Sequence, residues 1–83
     1  MNFDVSVLVS GVEGIADPEG RTIERALGVL GFQGASLVRV GKIITLSLIA
    51  DDLESARAEV VEMCDQLLAN PVIERYEITI SPA

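Results

Sequence analysis

The chain has 83 residues, 49% hydrophobic and 23% charged, which fits one globular domain over residues 1–83 and excludes a disordered polymer. Thirteen acids against six bases leave a net charge of −7, so neither nucleic acid nor an anionic membrane is an expected partner. With no His and a single Cys, Ser-His-Asp, Cys-His and zinc-histidine chemistry are all out, as is an intrachain disulfide.

Phe3, Val5, Val7 and Val9 alternate with Asp4, Ser6, Leu8 and Ser10, the period of a half-buried strand. Ser10 to Asp17 carries Gly11 and Gly14 without any period and reads as a loop. Asp17-Pro18-Glu19-Gly20 then opens a helix, with Asp17 as cap acceptor and Pro18 in the first helical position. Ile23, Ala26, Leu27 and Leu30 form its apolar stripe, and Gly31 ends it in the left-handed conformation. Arg21 and Arg25 lie opposite, toward water or a partner.

Ala35 to Val40 and Ile43 to Ala50 flank Gly41-Lys42, the pattern of two strands joined by a two-residue hairpin. A second helix starts at Asp51-Asp52, where Asp51 and Glu54 have capping-box spacing. Its expected core stripe is Leu53, Ala56, Val60, Met63, Cys64 and Leu67, widened by Val61 and Leu68. Asn70 is placed to cap its end, and Pro71 forbids continuation. Ile73 to Ile80 is the last strand, with Tyr76, Ile78 and Ile80 on one face.

The order β-α-β-β-α-β predicts an α+β, ferredoxin-like fold: two helices on one face of a four-stranded antiparallel sheet. The other face is then expected to carry Leu8, Leu37, Ile43, Ile49 and Ile73, a surface for self-association. Cys64 sits on the buried stripe and reads as a small core hydrophobe, since nothing nearby activates a thiolate. The acids from Asp51 to Asp65 are not spaced as an oxygen-ligand loop, and Glu74 and Glu77 point to opposite faces of a strand. No phosphate-cradling glycine motif and no pair of base-stacking aromatics is present. The residues predict no catalytic, cofactor or metal site. Arg39 and Lys42, with Gly41 between them, are the candidates for contact with a partner.

Three stretches resemble one family. Asp17-Pro18-Glu19-Gly20 with Ile23, Leu27 and Leu30-Gly31 resembles its first helix, Val38-Arg39-Val40-Gly41-Lys42 its hairpin, and Leu67 to Tyr76 its close. The chain resembles the PurS family, the small subunits of phosphoribosylformylglycinamidine synthase, from about Val5 to Ile80. The resemblance implies a non-catalytic, cytoplasmic subunit of an ATP- and glutamine-dependent ligase in de novo purine synthesis. It implies PurL-like synthetase and PurQ-like glutaminase partners, a homo-dimer or tetramer, and ammonia passing between the two larger subunits. ATP and Mg would then belong to the complex, with no cofactor in this chain. The alternative is an ACT-like small-molecule-binding module, which shares the element order and a glycine-containing loop such as Gly11 to Gly14. The N-terminus shows no basic segment followed by an apolar run, as expected of a cytoplasmic protein.

Overall fold

The computed structural model describes residues 1–83: β1 (Asn2–Gly11), α1 (Pro18–Val29), β2 (Gly41–Ile49), α2 (Leu53–Met63), a π-helical turn (Cys64–Leu68) and β3 (Glu74–Pro82). The three strands form one antiparallel sheet in the order β2-β1-β3. β1 sits at the centre, and its inward row is wholly apolar. Phe3, Val5, Val7 and Val9 are between 0% and 2% exposed, against Ala56, Val60 and Cys64 of the second helical segment at 0%. Leu48, Leu46 and Ile44 lie opposite Phe3, Val5 and Val7 on β2, and Ile80 and Ile78 flank Val5 and Val7 on β3.

The four-stranded expectation is corrected to three. Residues 35–40 form no strand, and no hairpin joins them to β2; Gly41 already pairs with Ser10. The cause is a competition for backbone hydrogen bonds. The Val38 amide donates to Glu24 Oε1 at 3.0 Å and the Val40 amide to Asp17 Oδ2 at 2.9 Å, so carboxylates of α1 and its cap take the place of a neighbouring strand. Leu37 has φ 56°, a left-handed conformation that breaks an extended run.

α1 is built as its caps dictate but does not join the core. Asp17 Oδ1 accepts from the Gly20 amide at 2.9 Å, and Gly31 at φ 101° turns the chain so that the Phe32 amide reaches Leu27 O at 2.9 Å. Its stripe, expected on the sheet, faces outward instead: Ile23 is 40% exposed and Leu30 71%. α1 and residues 30–40, which return alongside it, make an arm. The radius of gyration is accordingly 16.4 Å, where about 12 Å is usual for a compact chain of this length.

α2 starts one residue later than expected, with Asp52 as cap, its Oδ1 accepting the Ser55 amide at 2.7 Å. At its end the Ala69 amide bonds to Cys64 O at 3.1 Å, a five-residue step. That wider turn advances the helix phase, so Ala69 turns inward while Leu67, expected in the core, is 83% exposed. Asn70 does not adopt the left-handed cap. Its Oδ1 accepts from the Val72 amide at 3.0 Å, and its carbonyl accepts from Ile73 and Glu74, a turn that launches β3 at Glu74.

Candidate functional site

Two surfaces are built from polar groups that the core does not consume. The first is the base of the arm, where β1 ends and β2 begins. Asp17 binds the Gly20 and Val40 amides together, and the Arg39 guanidinium lies 3.6 Å from its Oδ2. Arg39 Nη2 also donates to Gly11 O at 3.1 Å and Val12 O at 3.3 Å. The Gly20 amide, then the Val40 amide and the Arg39 charge hold the Asp17 carboxyl below the usual carboxylate range. Gly20 is buried here, so closely packed that a Cβ would stand 2.5 Å from Val38 O. A cleft of about 270 Å³ opens beside these groups, lined by Ile15, Asp17, Glu19, Arg39, Ile73 and Glu74.

The second surface is the open face of the sheet. Ser47, Asp4 and Ser81 stand side by side across the three strands, and Thr45, Ser6 and Thr79 make the next row. These six side chains line a shallow trough of about 410 Å³. The serines and threonines were legible as outward positions; their assembly into adjacent rows required the strand register.

The predicted site residues are dispersed rather than gathered. Leu8 and Ile43 are direct cross-strand partners on the open face, and Ile49 lies at the far end of β2. Leu37 lies in the arm and Ile73 precedes β3, so neither is on the sheet. Gly41 opens β2 against Ser10, Lys42 pairs with Val9, and Arg39 is tied into the arm base. Neither surface pairs a nucleophile with a base. Burial first, then the Asp65 charge, pushes the Cys64 thiol up, away from the reactive thiolate. No group of three His, Cys, Asp or Glu side chains converges to hold a metal.

The family model for PurS, phosphoribosylformylglycinamidine (FGAM) synthase, matches residues 4–82. The chain belongs to the PurS family. It is 42% identical over 78 residues to phosphoribosylformylglycinamidine synthase subunit PurS of Methanocaldococcus jannaschii, covering 94% of each chain. It is 46% identical over 66 residues to the PurS of Archaeoglobus fulgidus, covering 80% of this chain and 82% of that one. The crystal structure of M. jannaschii PurS superposes with a TM-score of 0.86 at 41% identity over 98% of both chains. A chain of the Thermotoga maritima PurLQS structure superposes at 0.89, with 34% identity over 98% of this chain and 99% of that one. This PurS-family membership sets aside the sensor alternative.

Proposed function

We propose that this chain is the accessory subunit of phosphoribosylformylglycinamidine synthase, bridging a PurL-like synthetase and a PurQ-like glutaminase. The observation that carries it is the likeness, over 98% of the chain, to a chain of a structure in which PurL, PurQ and PurS stand together. The synthetase subunit activates the amide oxygen of formylglycinamide ribonucleotide with ATP, and the glutaminase releases ammonia that attacks to give the amidine. Ammonia escaping to water is protonated and lost as a nucleophile, so the two centres must be held in register. This chain supplies alignment rather than chemistry, and it does so as a homo-oligomer in the cytoplasm. ATP and Mg enter with the synthetase: here the α1 N-terminus, a natural phosphate seat, is filled by the Asp17 carboxylate on the Gly20 amide. Arg39, Gly41 and Lys42 lie at the end of the sheet where the arm leaves, the place for a larger subunit to engage. No helix is long and apolar enough to cross a membrane.

The test is reconstitution with the matching synthetase and glutaminase. Glutamine-dependent amidine formation is expected to require the chain, and the requirement is expected to relax when ammonium salt replaces glutamine. Full glutamine-dependent activity without it would refute the bridging role.

A further inference from the structure

The open face of the sheet holds one carboxylate in a field of short hydroxyls. The register sets Ser47 and Ser81 on either side of Asp4, and Thr45 and Thr79 on either side of Ser6. Met1 and Ala50 exchange both backbone bonds, Met1 N to Ala50 O at 2.8 Å and Ala50 N to Met1 O at 3.0 Å. Exchanging pairs recur at every second residue of an antiparallel ladder, so Asp4 and Ser47 form a pair of the closer kind, with Cα atoms about 4.5 Å apart. Even so, the Asp4 carboxylate is uncommitted. The two hydrogen bonds between side chains lie elsewhere, Arg75 to Ser10 and Tyr76 to Asp65, and the one ion pair is Arg39 with Asp17.

These short side chains leave the trough of about 410 Å³, and of the residues that line it Asp4 alone is charged. Its borders are apolar. The Leu8–Ile43 pair closes one end and Ile49 stands at the other, with Ile43 65% and Ile49 79% exposed. From Ile43 to Ile49 the strand runs about 20 Å, wide enough for one helix of about 10–12 Å diameter laid across the strands.

We infer that this trough seats an arginine side chain presented by one of the two larger subunits. A guanidinium is a planar fork of five donors without an acceptor. The trough matches it with two carboxylate oxygens and a ring of hydroxyls that turn to accept. A lysine brings a compact point charge that uses fewer of these acceptors. An acidic segment would be repelled by Asp4, and an apolar one would bury its charge without a partner. Once a segment lies down, Leu8, Ile43 and Ile49 meet its apolar flanks and exclude water from the ion pair, the setting in which an arginine anchor contributes most to binding. At a net charge of −7, the whole chain also draws a basic surface toward it. The inference rests on the bridging role proposed above and names one of its contacts.

Asp4→Asn keeps the shape of the site and removes its charge. Ser6→Ile fills the floor of the trough with a residue that strands favour. Binding of the full chain is measured by calorimetry against the matching synthetase and glutaminase, separately and together. Asp4→Asn is expected to weaken it about tenfold or more, Ser6→Ile is expected to do the same, and the melting temperature of Asp4→Asn is expected to stay unchanged. Glu59→Gln alters the net charge equally on exposed α2 and is expected to bind as the unmodified chain does, which separates a seated charge from the general field. Ser47→Cys accepts a photo-crosslinking maleimide at position 47, because Cys64 is buried. The segment it captures from a larger subunit is expected to contain an arginine. Undiminished binding of Asp4→Asn, an equal loss in Glu59→Gln, or a captured segment without arginine would overturn the inference. If the unmodified chain binds neither subunit, the bridging role fails and this contact with it. If the chain and Asp4→Asn bind equally tightly, the trough alone is struck out and the bridging role stands.

Discussion

Asp17 Oδ2 accepts the Val40 amide hydrogen at 2.9 Å, across 23 positions of sequence, while Oδ1 of the same carboxylate caps α1 at Gly20. One side chain thereby fixes both the departure and the return of the arm. Asp17→Ala is expected to lower the melting temperature, whereas Asp51→Ala, at an exposed acid that caps nothing, leaves it unchanged. Calorimetry of the two variants checks this, and equal melting temperatures would remove Asp17 from the arm base.

The same carboxylate predicts a pH dependence. The Asp17 and Asp52 carboxyls are both lowered from an ordinary value of 3.8, each chiefly by a backbone amide, Gly20 for the first and Ser55 for the second. A folded-state value below the unfolded one means the folded state binds its proton less readily. The stabilisation is therefore complete above the unfolded value and is lost as pH falls through the folded one. Thermal stability is expected to hold from neutrality down to about pH 5 and to fall below about pH 4. The Asp17→Asn and Asp52→Asn variants are expected to fall less steeply in that range. Parallel curves for all three proteins would assign acid sensitivity to other groups.

Gly20 gives a prediction whose sign separates two effects. In an exposed helix, Gly→Ala stabilises by about 1 kcal/mol. Here the added methyl would meet Val38 O at 2.5 Å and Asp17 Oδ2 at 2.9 Å. Gly20→Ala is therefore expected to destabilise the arm despite the gain in helix propensity. A raised melting temperature would mean that residues 35–40 do not close on α1.

Both outer strands and the centre of the core are readable from residue order alone. The alternation of Phe3, Val5, Val7 and Val9 predicts the row found at 2% exposure or less, and Tyr76, Ile78 and Ile80 share a face as expected. What failed was any feature decided by a distant group. Ala35 to Val40 alternates like a strand, but its amides answer to Glu24 and Asp17, and neither link is a local pattern. The α1 stripe announces that something apolar will cover it without saying which chain supplies the cover. Of the arm base, Asp17 was legible as a cap, while its hold on Val40 and the carbonyl contacts of Arg39 were not.

The π-helical turn supplies a matched pair of core tests. Val60 is 0% exposed and Leu67 83%, although an uninterrupted 3.6-residue period puts both on one stripe. Val60→Ala is expected to cost about 2 kcal/mol through a buried cavity. Leu67→Ala is expected to change the isolated protomer's stability by less than about 0.5 kcal/mol. Denaturant unfolding checks both. Comparable losses would restore the regular helix and remove the phase shift at Cys64–Leu68.

Arg39 and Lys42, three positions apart at the sheet end, separate into different roles once the structure is drawn. Arg39 donates to Gly11 O and Val12 O and faces Asp17, so reversing its charge sets a carboxylate against a carboxylate and two carbonyls. Arg39→Glu is expected to lower the melting temperature and to disturb assembly through the fold. Lys42 forms no ion pair and is exposed beside the arm base, so Lys42→Glu is expected to leave stability within about 0.5 kcal/mol. Any assembly defect of Lys42→Glu then reports contact rather than folding. With synthetase and glutaminase added, its assembly is expected to weaken, and to weaken more at low salt, where a repulsive charge is less screened. Binding measured at two ionic strengths decides the matter. Undiminished assembly of the stable Lys42→Glu chain at both would exclude Lys42 from the partner contact, leaving Arg39 a residue of the arm alone.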